Sequence, residues 1–327
     1  MKSFLPMRRA AISAFIGSAW LLSQPAAVQA QSDPAFAYGK AEDAKDPKKA
    51  SWKASAQAGL LLATGNANSL TFSAGGSASR VDLKNKIALD VEGRFGQTTA
   101  YVAAPGLAAN PVSGNLMLRG PADLVSTTAV STQYWGVKVR YDRFFSKNNL
   151  GYILGQAMGD EPAGKRVFGG GQIGYSRQLY KSDRNEILAE LGYDFSFVVF
   201  AKDDAVPHEI FIHSLRAFLG YNLTLSKDTA LNTGLEGLFN LNTFNSPNDQ
   251  AESVARGVFE DTRINFKTAL TTTIYKKLSF RFSFKLRFDN VPAPRPAPAG
   301  TEFVGQFAPL AEKLDTLSEA ALVVNFL

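Results

Sequence analysis

The sequence predicts an all-β fold: a transmembrane, antiparallel, up-and-down β-barrel of about twelve strands. Three observations carry that expectation. The stretch Leu278 to Asp289 reads LSFRFSFKLRFD, with Leu278, Phe280, Phe282, Phe284, Leu286 and Phe288 on one row and Ser279, Arg281, Ser283, Lys285, Arg287 and Asp289 on the other. Successive side chains of a strand point to opposite faces, so this strand has one wholly apolar and one wholly polar side. It is also about twice the mean strand length of roughly five or six residues, and it meets the roughly 9–11 that a tilted strand needs to cross a bilayer. Second, the connections sort by length. Those at even positions are tight turns, and the longer ones all fall at odd positions, as in a meander with short turns on one rim and loops on the other. Third, the N-terminus reads as an export leader.

The leader comprises basic Lys2, Arg8 and Arg9, the uncharged run Ala10–Leu22, and small residues up to Ala30. That run is too short to span a bilayer as a helix, so residues 1–30 are expected to be cleaved. Residues 31–50, rich in Ala, Lys, Asp and Pro, are expected to form a flexible periplasmic lead-in, and residues 51–327 the barrel.

The strands follow in order. Trp52–Ala63 sets Trp52, Leu60, Leu62 and several alanines on one face, and Thr64-Gly65-Asn66 begins a turn. Ser69–Asp82 alternates Leu70, Phe72, Ala74 and Ala78 with Thr71, Ser73, Ser77 and Ser79. The third strand sets Ile87, Leu89, Val91 and Phe95 against Lys86, Asp90, Glu92 and Arg94. A Gly/Pro/Ala-rich loop is expected over 96–126. The fourth strand opposes Trp135, Val137, Val139 and Tyr141 to Lys138, Arg140 and Asp142. Leu150–Met158 is weakly patterned, and Arg166–Leu179 follows it. Asn185–Phe200 turns Ile187, Leu191, Tyr193, Phe195 and Phe197 away from Glu190, Asp194 and Ser196. Strands at 210–225 and 229–241 precede a polar loop at 242–261. Thr262–Ile274 opposes Ile264, Phe266 and Leu270 to Arg263, Asn265 and Lys267, and the strand at 278–289 comes next. A Pro-rich loop at 290–315 leads to the last strand, 316–327.

Hydrocarbon offers no hydrogen-bond partner, so such strands must close into a ring. The charged rows then face inward, where a charge costs several kcal/mol unless it is wet or paired. The candidate lumen-lining residues are Lys138, Arg140, Glu190, Asp194, Arg263, Lys267, Arg281, Lys285 and Arg287. The strands at 262–274 and 278–289 are expected to form a cationic wall, with no acidic residue before Asp289. Its counter-charges Asp90, Glu92, Glu190 and Asp194 would lie across the lumen.

Several residue groups also carry a resemblance. They are Ala58-Gly59 with Thr64-Gly65-Asn66, the run Arg140–Ser146, Gly170-Gly171-Gln172-Ile173-Gly174-Tyr175, Leu191-Gly192-Tyr193, Leu314-Asp315-Thr316 and Leu322–Phe326. In their order and spacing the chain resembles the domain-of-unknown-function family 481, described as salt-induced outer-membrane proteins. The resemblance runs from about Trp52 to the C-terminus. It implies the barrel fold and the outer membrane, and supplies no catalytic residues. One departure is Leu327, which follows Phe326 where such barrels usually end in an aromatic residue.

Composition narrows the chemistry. Cysteine is absent, which excludes thiol catalysis and thiolate metal sites. The net charge of +6, partly carried by the leader, is too mild and dispersed for nucleic-acid binding. Of the two histidines, His213 is in phase with outward Phe211 and Leu215, and His208 lies in a loop, so no nucleophile–base pair forms. No catalytic residue, metal site or cofactor is expected. The partners expected are outer-membrane lipid, lipopolysaccharide and, during biogenesis, the barrel-assembly machinery, for a monomeric protein. The function expected is a non-enzymatic envelope or stress-related barrel, or a narrow passive pore. The alternatives are a lipid-modifying enzyme or a surface-binding barrel using loops 96–126, 242–261 and 290–315.

Overall fold

The computed structural model describes residues 51–326, apart from 64–66, 83, 104–105, 107–123, 202–206, 249–251, 295–309 and 312. The leader (1–30), the lead-in (31–50), the first turn, Leu327 and most of the Pro-rich loop lie outside the described residues. Twelve antiparallel strands close into a barrel. They are β1 (Ser51–Ala63), β2 (Ala67–Asp82), β3 (Asn85–Ala103), β4 (Leu124–Phe144), β5 (Asn149–Asp160), β6 (Lys165–Lys181), β7 (Asn185–Phe200), β8 (Glu209–Thr224) and β9 (Thr229–Asn240), followed by β12 (Thr262–Tyr275), β13 (Leu278–Asp289) and β14 (Leu314–Asn325). Between β9 and β12, β10 (Phe244–Pro247) and β11 (Ser253–Arg256) form a separate hairpin.

Each barrel strand pairs with its neighbours in the chain, and β1 meets β14. That seam is short. It holds five registered pairs, from Ser55↔Asn325 to Gly59↔Ala321, whereas β13 and β14 share eleven.

Alternation builds the wall, and it is inverted relative to a soluble sheet. In β13, Phe282 is 48% exposed while Ser283 and Lys285 are each 3% exposed. Apolar rows outside and charged rows inside are what a lipid solvent selects. A polar girdle marks the short-turn rim. Asn85, Asn149 and Asn185, each opening a strand, accept hydrogen bonds from Tyr141, Tyr175 and Tyr221 of the adjoining strand.

Three expectations need correction. β3 continues to Ala103 and β4 begins at Leu124, so the loop read as 96–126 begins and ends in strand. Those extra residues pair in register from Gln97↔Val130 to Ala103↔Leu124. The connection 242–261 contains the β10–β11 hairpin. The last strand begins at Leu314 and ends at Asn325, two residues ahead of its expected bounds.

Candidate functional site: the ion-paired barrel interior

All nine candidate lumen residues lie on inward rows. Lys138, Arg140, Glu190, Asp194, Arg263, Lys285 and Arg287 are buried, and Lys267 and Arg281 half-buried. The structure assembles most of them into networks that also recruit Tyr152, Lys165, Arg216 and Glu236, which the sequence reading did not single out.

The central network is built on Glu190 of β7. Arg140 of β4 grips it with two nitrogens, Nη2 to Oε1 at 2.7 Å and Nη1 to Oε2 at 3.2 Å, while its Nε donates to Asp142 at 2.7 Å. Arg216 of β8 donates through Nη1 to Glu190 at 2.8 Å and through Nε to Glu236 of β9 at 2.6 Å. Forked guanidinium–carboxylate contacts are the strongest of charge-assisted hydrogen bonds. Tyr152 of β5 ties the two arginines together. The Arg140 guanidinium stacks 4.3 Å from its ring centre, and Arg216 donates to its hydroxyl at 2.8 Å.

Two glycines make room for that tyrosine. A Cβ at Gly174 or at Gly192 would come within 2.6 Å of the Tyr152 hydroxyl, so the ring can lie across β6 and β7 only where those strands lack a side chain. Both belong to the glycine-containing motifs of the sequence. Gly192→Val is therefore expected to displace Tyr152 and weaken the network, lowering the urea midpoint. An unchanged midpoint would show that the ring does not need this gap.

A second network runs toward the long-loop rim. Asp194 accepts from Gln172 at 2.9 Å and Ser196 at 2.6 Å, and lies 3.8 Å from Arg263. Lys165 of β6 pairs with Asp289 of β13 at 3.1 Å. Those strands are nearly opposite in the ring, so this pair bridges the lumen. The cationic wall expected on β12 and β13 has nearer partners than anticipated. Arg263 lies 3.4 Å from Asp261, just ahead of its own strand. Lys285 lies 4.0 Å from Glu319 on adjacent β14, as well as 3.7 Å from Glu92 across the lumen.

Above the charges sits an apolar layer. Met158, Phe168, Val198, Phe200, Ile210 and Ile212 point inward from β5–β8 and pack with Ala293 from the β13–β14 connection and Phe244 from β10. That connection reaches across the mouth to the β5–β6 turn. Gly164 there is left-handed (φ 78°), and a Cβ on it would stand 2.2 Å from the Pro294 carbonyl oxygen. The described parts of these loops thus lie as a lid over this side of the barrel mouth.

Asp261, in the bend before β12, is buried beneath that lid. Burial pushes its carboxyl up to about 6, against the pull of Arg263. A raised carboxylate value gives stability that is full below the unfolded value of about 4 and lost as pH rises through the folded one. Between pH 5 and pH 7 the wild-type urea midpoint is expected to fall more than that of Asp261→Asn, which cannot ionise. Equal falls in the two would exclude this contribution.

His213 faces outward beside Tyr193 and Phe195, its hydrogen bond going to the Tyr193 hydroxyl. His208 is exposed in the β7–β8 connection. The two do not share a site.

Fold and interior together define a membrane-spanning, twelve-stranded β-barrel whose lumen is crossed by ion pairs. The chain belongs to the DUF481 family of proteins of unknown function, whose model matches residues 56–326. No curated protein matches the sequence significantly. Among solved structures it is similar to the NanC porin, with 8% identity over 84% of this chain and all of that one and a TM-score of 0.43. It is also similar to an outer-membrane channel from Pseudomonas putida F1 (10% identity, 90% of this chain and all of that one, TM-score 0.39) and to OmpT, an outer-membrane protein of Vibrio cholerae (7%, 85% and 97%, 0.35).

Proposed function

We propose that this protein is a non-enzymatic outer-membrane barrel that rests closed, serving the envelope as a sealed scaffold rather than as a standing pore. One observation carries the reading: the Lys165–Asp289 pair bridges opposite walls directly beneath the apolar lid. Twelve strands enclose a lumen narrower than that of the open 16–18-stranded porins, and here inward aromatic side chains and ion pairs fill much of it. The exposed apolar belt suits outer-membrane lipid. With short turns on the periplasmic side, the lidded rim faces outward toward lipopolysaccharide. The barrel-assembly machinery would insert it, as a monomer.

Planar-bilayer recording tests the reading. The wild type is expected to be silent at low voltage. Replacing Phe168, Phe200 and Phe244 of the apolar layer by Ala, together with Lys165 and Asp289, should open steady conductance. Steady wild-type conductance would sink the closed reading in favour of a passive pore.

A further inference from the structure

A cavity of about 130 Å3 lies inside the barrel, in the half nearer the short turns, between the β12–β13 wall and the β1–β4 wall. It exists because the inward rows of β1 and β2 carry small side chains where β5–β8 carry Tyr, Leu and Phe. Ser55 and Ser77, which lie on its surface, hydrogen-bond each other at 2.8 Å. Gln57, Asp90, Glu92, Lys138, Lys267 and Arg281 also line it.

The last two stand apart from most other cations of the interior. Arg140, Lys165, Arg216, Arg263 and Lys285 each have a carboxylate within 4.0 Å. Among the described residues, neither Lys267 nor Arg281 has one. Arg281 donates through Nη1 to Gln57 at 2.8 Å and through Nε to Thr271 at 3.3 Å, which leaves Nη2 without a protein acceptor among the described residues. Lys267 sits directly opposite Lys285 in the β12–β13 pairing, an unfavourable placement for like charges. Lys285 is already engaged by Glu92 and Glu319. Asp90 and Glu319 act on Lys267 and Arg281 only from beyond contact distance, so two half-buried cations with no carboxylate touching them line one polar cavity.

We propose that this cavity binds one small oxyanion, a carboxylate or a phosphate, between Arg281 and Lys267. The guanidinium offers Nη2, the ammonium a mobile point charge, and the serine pair the one hydroxyl proton its mutual hydrogen bond leaves over. Asp90 and Glu92 on the facing strand disfavour a second negative charge at the ligand's far end, so a monoanion or a zwitterion fits best. The inference deepens the closed-barrel reading: a sealed barrel that holds a small anion within its periplasmic half.

Calorimetric titration of the refolded full-length barrel in micelles tests it, with sodium acetate and sodium phosphate as separate probes and ionic strength held constant with sodium chloride. Saturable one-to-one binding of either is expected, and the probe that binds identifies the oxyanion. K267Q/R281Q should weaken binding at least tenfold, and so should S77F, which fills the cavity while keeping both cations. K147Q, in an exposed turn, should change nothing. Heat-modifiable gel migration establishes that each variant is folded. If a variant fails to fold, the wild-type titration still decides. No saturable binding of either probe by the wild type overturns the proposal, as does full affinity in folded K267Q/R281Q. Failure here with a silent bilayer removes the site and leaves the closed barrel. Steady wild-type conductance with intact binding does the reverse.

Discussion

Glu190→Ala is expected to destabilise the barrel by about 3–5 kcal/mol, because it leaves Arg140 and Arg216 buried without their shared counter-ion. Glu190 is 4% exposed and Arg140 1%, so water cannot take over the carboxylate's role without disrupting the packing. Urea unfolding in lipid vesicles, followed by tryptophan fluorescence, measures the loss. The matched control is Asp82→Ala, which removes the exposed Arg80–Asp82 pair. Exposed pairs contribute little, so its midpoint should hardly move. A Glu190→Ala midpoint equally close to wild type would mean that the network contributes nothing to stability. Glu190→Gln should fall between, since an amide can still accept one of the arginine hydrogen bonds.

Phe282→Arg is expected to cost about 2–4 kcal/mol, the penalty of a cation on the lipid face near the bilayer midplane. Phe282 lies outward in the middle of β13. Ile274→Arg, also outward but beside the short turn that ends β12, should cost about 0–1 kcal/mol, since the penalty fades toward the interface. Equal losses at the two positions would contradict the assigned depth. Ser283, which the alternation alone places on a wet face, is in fact enclosed between Arg281 and Lys285. An arginine there meets crowding as well as charge.

The ring was legible because lipid forces a strict period of two. In β13 every residue reports its face by type, and the strand count and loop sorting follow from repeating that reading. It weakens near the long-loop rim. Phe195 through Phe200 reads FSFVVF, and beyond Ser196 both faces become apolar. Val198 and Phe200 belong to the inner seal, which period alone could not separate from the outer belt. Arg216 and Glu236 were recoverable, since each stands in phase with its strand's inward row. Their partners were not. Register fixes only adjacent strands, whereas Lys165–Asp289 joins residues that meet across the interior once the ring closes. The gap beneath Tyr152 was equally hidden. Gly174 and Gly192 stood in the sequence only as members of its recurring motifs, and the ring resting over them is what explains them.

The short β1–β14 seam has a consequence in time. Its residues are the most distant in sequence of any adjoining strands, so the entropy of closing the chain must be met before the seam's few pairs can form. It should be the last joint made as the barrel assembles and the first to part. Beyond Gly59↔Ala321, β14 remains zipped to β13 while its other edge has no registered partner on β1 among the described residues. Amides along that edge should exchange in brief partial openings, long before those of β6 and β7. A disulfide engineered between positions 57 and 323 would act as a clasp, slowing unfolding far more than refolding.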